Sequence, residues 1–276
     1  MTSFFRFASL VGPLCLVLFV WLWSEELIKI ERSLRRDGES VHALFVIAHP
    51  DDEALFFSPL ISALAHWNHK ISVLCLSTGD AYGVGSKRRQ ELLDNMRVNF
   101  GVPESRVSII DHEDMKDGMD KDWSDEVVSA AILSKVGQSS HSVDLFVTFD
   151  SWGISGHKNH NGAHKGLIAA IRSLGNRTSA EKALSDGEKR GRPQFWFLRS
   201  KSPFRLFLGP FDFIASRLLQ SLPMIPGARR TVIVPAPDLT TAMRAMLVHK
   251  SQITWYRLIF SVLSCYSYIN TFDIIE

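Results

Sequence analysis

The chain has few cysteines, no excess of either charge and no glycine-rich phosphate fingerprint, and each lack removes a class of function. Cys15, Cys75 and Cys265 are the three cysteines; they lie far apart in apolar surroundings. Neither a disulfide framework nor a CxxC zinc ribbon is available, and a reducing compartment is expected. The formal charge is +2 over 276 residues, with no basic run interleaved with aromatics, so no nucleic-acid partner is expected. The glycines of residues 77–85 do not have GxGxxG spacing, which excludes a dinucleotide fingerprint. Charge is also missing from residues 7–24, FASLVGPLCLVLFVWLWS, a length at the short end of what crosses a bilayer. Trp23-Ser24-Glu25-Glu26 offers no small-residue cleavage site, so residues 1–24 read as a retained N-terminal membrane anchor, one transmembrane helix, rather than a cleaved leader. Lys29, Arg32, Arg35 and Arg36 follow it, and the positive-inside rule then places the body of the chain in the cytosol. Residues 25–41 read as a short charged helix and linker, and residues 42–276 as the folded domain.

What is present is concentrated at the ends of two apolar runs. Residues 44–47, Leu-Phe-Val-Ile, read as a buried strand that stops at Ala48-His49-Pro50-Asp51-Asp52-Glu53. Pro50 cannot continue a central ladder, so the strand emerges there into a turn. One imidazole and three carboxylates fall within the five residues 49–53. Carboxylates this close repel one another, and a divalent cation among them is the economical remedy. A helix over 60–67 and strands over 71–76 and 107–110 follow, with helices over 86–99 and 125–136 between and after them. A fourth strand, 143–149, ends in Asp150-Ser151-Trp152-Gly153-Ile154-Ser155-Gly156-His157-Lys158-Asn159-His160, ahead of a helix over 162–174. This alternation predicts a doubly wound, mainly parallel, Rossmann-like α/β sheet, in which ligands bind beyond the carboxyl ends of the strands where the order reverses. If strands one and four are neighbours there, both polar loops share one site. His160 and His157 are then candidate ligands, with His164 as an alternative. His66 and His69, three apart at a helix end, could in principle ligate a metal but read as the polar groups common at a helix C-terminus. Arg88, near the start of its helix, either reaches an anionic substrate group or pairs with Glu91.

The two loops together resemble the LmbE-like deacetylases. Ala48-His49-Pro50-Asp51-Asp52-Glu53 is similar to that family's opening motif and Gly156-His157-Lys158-Asn159-His160 to its second histidine motif. Ser77-Thr78-Gly79, Arg88-x-x-Glu91-Leu92 and Thr148-Phe149-Asp150 also fit, so the resemblance covers residues 43–175. His249-Lys250-Ser251-Gln252 with Trp255, Tyr256 and Arg257 is similar to the eukaryotic branch, which acts on the glycolipid N-acetylglucosaminyl-phosphatidylinositol at the endoplasmic reticulum membrane. The resemblance implies a hydrolase that removes acetate from that lipid in the second step of glycosylphosphatidylinositol anchor synthesis, facing the cytosol. It implies a zinc ion (Zn2+) held by His49, Asp52 and His160, Asp51 as general base and His157 as oxyanion donor. Iron or manganese would also accept these ligands. Glu53 and Asp150 are expected to support the site, Asp150 by orienting His157. Many bacterial relatives carry a carboxylate where this chain has Asn159.

Residues 175–192 read as a surface loop and 195–198 as a further strand. The apolar segment 204–225 is either core or a surface dipping into the bilayer, and 253–275 is too interrupted for a second span. The cytosolic orientation predicts that the Asn176-Arg177-Thr178 sequon stays unmodified in eukaryotic cells; a mobility shift removed by endoglycosidase would overturn that topology.

Overall fold

The computed structural model describes residues 2–35, 38–139, 142–175, 192–221 and 230–275, with side chains of residues 2–12, 174 and 175 outside the description. The Asn176 sequon and nearly all of the loop expected over 175–192 therefore lie outside the described residues. Helix α1 (Thr2–Leu34) is followed by β1 (His42–Ile47), the short α2 (Asp52–Leu55), α3 (Ser58–His66) and β2 (Lys70–Cys75). Next come α4 (Gly85–Phe100), β3 (Val107–Ile109), α5 (Asp125–Gly137), β4 (Leu145–Phe149), the single turn α6 (Gly153–Gly156) and α7 (Lys158–Gly175). The last part holds β5 (Gln194–Leu198), α8 (Pro203–Leu206), α9 (Asp212–Ser221), β6 (Arg230–Pro235), α10 (Thr241–Val248), α11 (Trp255–Leu263) and β7 (Ile269–Ile275).

The strands form one sheet in the order β3-β2-β1-β4-β5-β7-β6. β1 to β5 are parallel, and β7 runs antiparallel to both β5 and β6. Every residue of β1 is buried, as expected of a central parallel strand covered on both faces. The chain leaves β1 towards β2 and β3, then returns to place β4 on the other flank of β1, Leu44 facing Phe146. The order thus reverses between β1 and β4, and the loops that leave these two strands meet there. β6 and β7 were not expected; Asn270 and Thr271 interrupt the apolar run of β7 and are buried.

α1 differs from a separate anchor and linker: from Thr2 to Leu34 it runs as one continuous helix across the boundary expected at residues 24 and 25. Trp23, Ile30 and Leu34 are buried in the main core, each contributing about 1.5–3 kcal/mol by burial. Trp23 Nε1 donates to Ala236 O at 2.9 Å, and buried Glu26 pairs with Arg217. Among the described residues no helix is long and apolar enough to cross a membrane; the side chains that begin the expected anchor lie outside the description.

α5 and α7 cross over one face of the sheet at Gly166, where an added Cβ would come within 2.1 Å of Val128 Cγ1. Gly166→Ala should lower stability by about 1–3 kcal/mol through overpacking, measured as a lower denaturant midpoint. An unchanged midpoint would mean that the two helices separate freely.

Candidate active site

The loop after β1 is held by its own backbone. Asp52 Oδ2 accepts from the N–H groups of Ala48 (2.9 Å) and His49 (2.8 Å), which turns Oδ1 towards His160 Nε2 at 3.2 Å. His160 stands at the start of α7, stacked on Phe149 with centroids 4.0 Å apart. Its Nδ1 donates to Gly153 O at 2.7 Å, which turns Nε2 towards Asp52. That carbonyl is placed by a run of left-handed residues, Gly153, Ile154, Ser155 and Gly156, with φ of 64°, 46°, 63° and 71°. Such strain at Ile154 and Ser155, about 1–3 kcal/mol each, persists only where the surroundings over-determine it. Asp150 does this: it accepts from the N–H of Trp152, Gly153 and Ser200 and from Ser200 Oγ. Asp150 therefore shapes the loop and does not orient His157, contrary to expectation.

His49 Nε2 lies 3.1 Å from both Asp117 Oδ1 and Asn159 Oδ1, and its Nδ1 is 3.8 Å from Asp52 Oδ2. Among the described residues two groups could hold a cation, His49 with Asp52 and His160, and His49 with Asp117 and His157, the ligand atoms of each lying within 4.8 Å of one another. The surroundings of these groups favour positive charge here. Burial raises the Asp52 carboxyl, but the charge and hydrogen bond of His160, joined by His49, outweigh it and hold the group well below the usual carboxylate range. Burial likewise pulls His49 down, yet its hydrogen bonds to Asp117 and Asp52 draw it up to about 10. Two imidazoles with one carboxylate form a donor set that suits zinc while leaving a position open.

Asp51, beside these groups, has φ of 134°. Its N–H donates to Glu53 Oε2 at 3.1 Å, and Glu53 Oε1 in turn accepts from Asn95 and pairs with buried His249. Asp51 Oδ1 accepts from Arg88 Nη2 at 3.2 Å. Oδ2 faces Arg257 Nη1 at 3.1 Å as an ion pair but has no aligned hydrogen bond. Burial raises the Asp51 carboxyl, while Arg88 and Arg257 pull it back down. Arg88 reaches the site, but as a buried counter-charge rather than a free hand for substrate. It donates to Pro50 O, Gly79 O, Asp51 and Asp117, and Glu91 instead accepts from Ser251. Gly79, with φ of 69°, must lack a Cβ, which would lie 2.4 Å from the guanidinium.

His157 faces His49 and His160 with ring centroids 4.8 and 4.6 Å away. Burial and those two neighbours push it down to about 4, and its Nδ1 accepts from Asn159 N at 3.2 Å, so the neutral ring carries its proton on Nε2. His164 Nδ1 lies 3.0 Å from Phe149 O and is in neither group. His66 and His69 sit at the opposite, amino end of β2. Asp117, His249 and Arg257 had no role assigned from sequence. Asp117 lies in an acidic stretch that reads as solvated, and the other two act from some 200 residues away. His49, Asp51, Asp52, Asp117, His157 and His160 floor a cavity of about 630 Å3 whose mouth is lined by Phe207, Trp255, Ile259 and Phe260.

Residues 44–171 match the PIG-L family model, described as GlcNAc-PI de-N-acetylase. The N-acetylglucosaminyl-phosphatidylinositol de-N-acetylase of Bos taurus is 35% identical over 257 residues, covering 93% of this chain and 92% of the bovine one. The chain belongs to the N-acetylglucosaminyl-phosphatidylinositol de-N-acetylase family. The Saccharomyces cerevisiae member is 30% identical, with 83% of this chain and 80% of the yeast protein covered. The family's fold is shared with the N,N'-diacetylchitobiose deacetylase of Pyrococcus horikoshii, at a TM-score of 0.59, 15% identity, and coverage of 86% of this chain and 84% of that one.

His160→Ala should abolish stoichiometric zinc binding to metal-stripped protein in calorimetry, whereas His164→Ala should leave it intact. Retained zinc in His160→Ala would refute the ligand set.

Proposed function

We propose that this chain hydrolyses the N-acetyl group of N-acetylglucosaminyl-phosphatidylinositol, giving glucosaminyl-phosphatidylinositol and acetate, the second step of glycosylphosphatidylinositol anchor synthesis. The observation that carries the reading is the buried set His49, Asp52 and His160 with Asp51 beside it, at the floor of a pocket with an apolar mouth. In this reading His49, Asp52 and His160 hold a zinc ion, which when bound supplies Lewis acidity and makes a water molecule easier to deprotonate. Asp51, whose Oδ2 is ion-paired with Arg257 but accepts no hydrogen bond, takes the proton from the attacking water and returns it to the departing nitrogen, so that an amine and acetate leave. His157, neutral and protonated at Nε2, donates to the carbonyl oxygen as negative charge develops on it; one such donor is worth roughly 100-fold to 1000-fold in turnover. Asp117 and Arg88 fix His49 and Asp51 in place. The enzyme works at the endoplasmic reticulum membrane, with α1 as its single-pass anchor and the folded domain in the cytosol.

Acetate release by the solubilised full-length protein, with the glycolipid and with a water-soluble N-acetylglucosamine conjugate, tests this. Chelator-sensitive turnover of the glycolipid is expected; turnover of the soluble conjugate alone would discard the lipid assignment and keep a soluble-substrate deacetylase. Asp51→Asn should lower kcat by about 100-fold to 10,000-fold with zinc retained. Because activity needs ionised Asp51, kcat/KM falls as pH drops through its pKa. Arg257→Gln removes a cation that lowers that pKa, so the acid limb should move to higher pH; a limb that stays put would assign it to another group.

A further inference from the structure

α11 (Trp255–Leu263) carries a single charged side chain, Arg257, and turns it inward to Asp51, while Tyr256 is exposed beside Trp255. Residues 203–211, PFRLFLGPF, repeat the arrangement: Arg205 is their one charge, and it pairs with fully buried Asp212 at 2.6 Å. What both segments turn outward is apolar. On α11 the exposed positions include Trp255, Ile259, Val262 and Leu263, spaced i, i+4, i+7 and i+8 as one helical face. On the facing segment Phe204, Phe207 and Phe211 are exposed, Phe204 to 79%.

These faces are contiguous. A Cβ on Gly209 would lie 3.6 Å from Leu263 O, so the end of α11 abuts the turn that bears Phe207 and Phe211. Phe211 in turn meets Phe19 of α1, ring centroids 6.4 Å apart. Beyond Phe19, α1 exposes Leu14, Val17, Leu18 and Trp21. A strip without outward charge therefore runs from the pocket mouth, at Trp255, Phe207 and Ile259, to the apolar part of α1. Patches of this extent mark interaction sites.

We infer that this strip is a membrane-docking surface. α11 and residues 203–211 lie in the interfacial layer of a phospholipid bilayer, and the pocket mouth opens onto it so that the sugar headgroup enters while the acyl chains stay in the bilayer. The inference rests on the glycolipid reading above. Two observations select lipid over protein. A protein interface surrounds its apolar centre with a polar rim, whereas here the only two charges of both segments are withdrawn to buried carboxylates. The strip also continues into a stretch of α1, residues 7–24, that has no charge at all. Exposed Trp and Phe beside aliphatic side chains suit the boundary between headgroups and hydrocarbon.

The test uses the full-length chain with Cys15→Ser, reconstituted in phosphatidylcholine vesicles and carrying one bimane label at Leu263→Cys, Phe204→Cys or, as control at the far end of the sheet, His66→Cys. Labels at 263 and 204 should be quenched by phosphatidylcholine with a nitroxide on its acyl chain and shielded from iodide, with the reverse at 66. Iodide quenching at 263 and 204 equal to that at 66 would overturn the proposal. Shielding from iodide without lipid quenching would overturn it in favour of a protein partner. The label depth is read without turnover, so it stands or falls separately from the deacetylase assignment. Leu263→Glu should also raise KM for vesicle-borne glycolipid by about tenfold, the loss of one buried leucine; an unchanged KM would count against docking by α11.

Discussion

Three adjacent carboxylates, Asp51, Asp52 and Glu53, are buried at the carboxyl end of the sheet, and the rest of the site is arranged to make that tolerable. An ionised carboxylate taken out of water costs several kcal/mol unless it is paired and hydrogen-bonded. Each of the three is given different company. Asp52 has two backbone amides and the imidazoles of His49 and His160, Asp51 has Arg88 and Arg257, and Glu53 has Asn95 and His249. The division matters because it separates roles within one motif. Asp52 is fixed and kept ionised, suited to a cation; Asp51 is pushed the other way by burial and keeps one oxygen free of hydrogen bonds, suited to moving protons.

The backbone takes part in this division. With φ of 134° at Asp51, the turn after Pro50 points successive side chains in different directions instead of along one helical face. Ser77 Oγ, from the loop after β2, donates to Ala48 O at 2.8 Å and braces the turn from the neighbouring strand. Strain at the loop after β4 is met in the same way, by Asp150 and Ser200, which is why a residue that looked like a partner for His157 is spent on the loop itself.

What could be read in the sequence was whatever is local. The apolar run of β1, its abrupt stop at His49, and the spacing of His157 and His160 are visible because each depends on neighbours in the chain, and the alternation of strands and helices implied that the two loops meet. What could not be read depends on distant pairing. Arg88 looks like a free cation until Asp51, Asp117 and two carbonyls are seen to absorb it. Asp117 sits among acids at 111–122 that give no periodicity; Asn159, which accepts from Gly118 N at 3.0 Å, and Arg88, which donates to Asp117, draw that loop over the site. β7 hides behind Asn270 and Thr271, polar residues whose burial is satisfied by partners elsewhere in the fold, Asn270 by Phe56 O and Leu60 N.

Those long-range pairings also set an order of assembly. Glu53 meets His249 across 196 residues, and Leu60 N–H meets Asn270 across 210. On a ribosome adding about 5–20 residues per second, Glu53 emerges roughly 10–40 s before His249, its buried partner. Until then the loop is hydrated and its carboxylates are free to spread apart. A nascent chain that already displays His49, Asp52 and His160 thus still lacks His249 beside Glu53 and Arg257 beside Asp51.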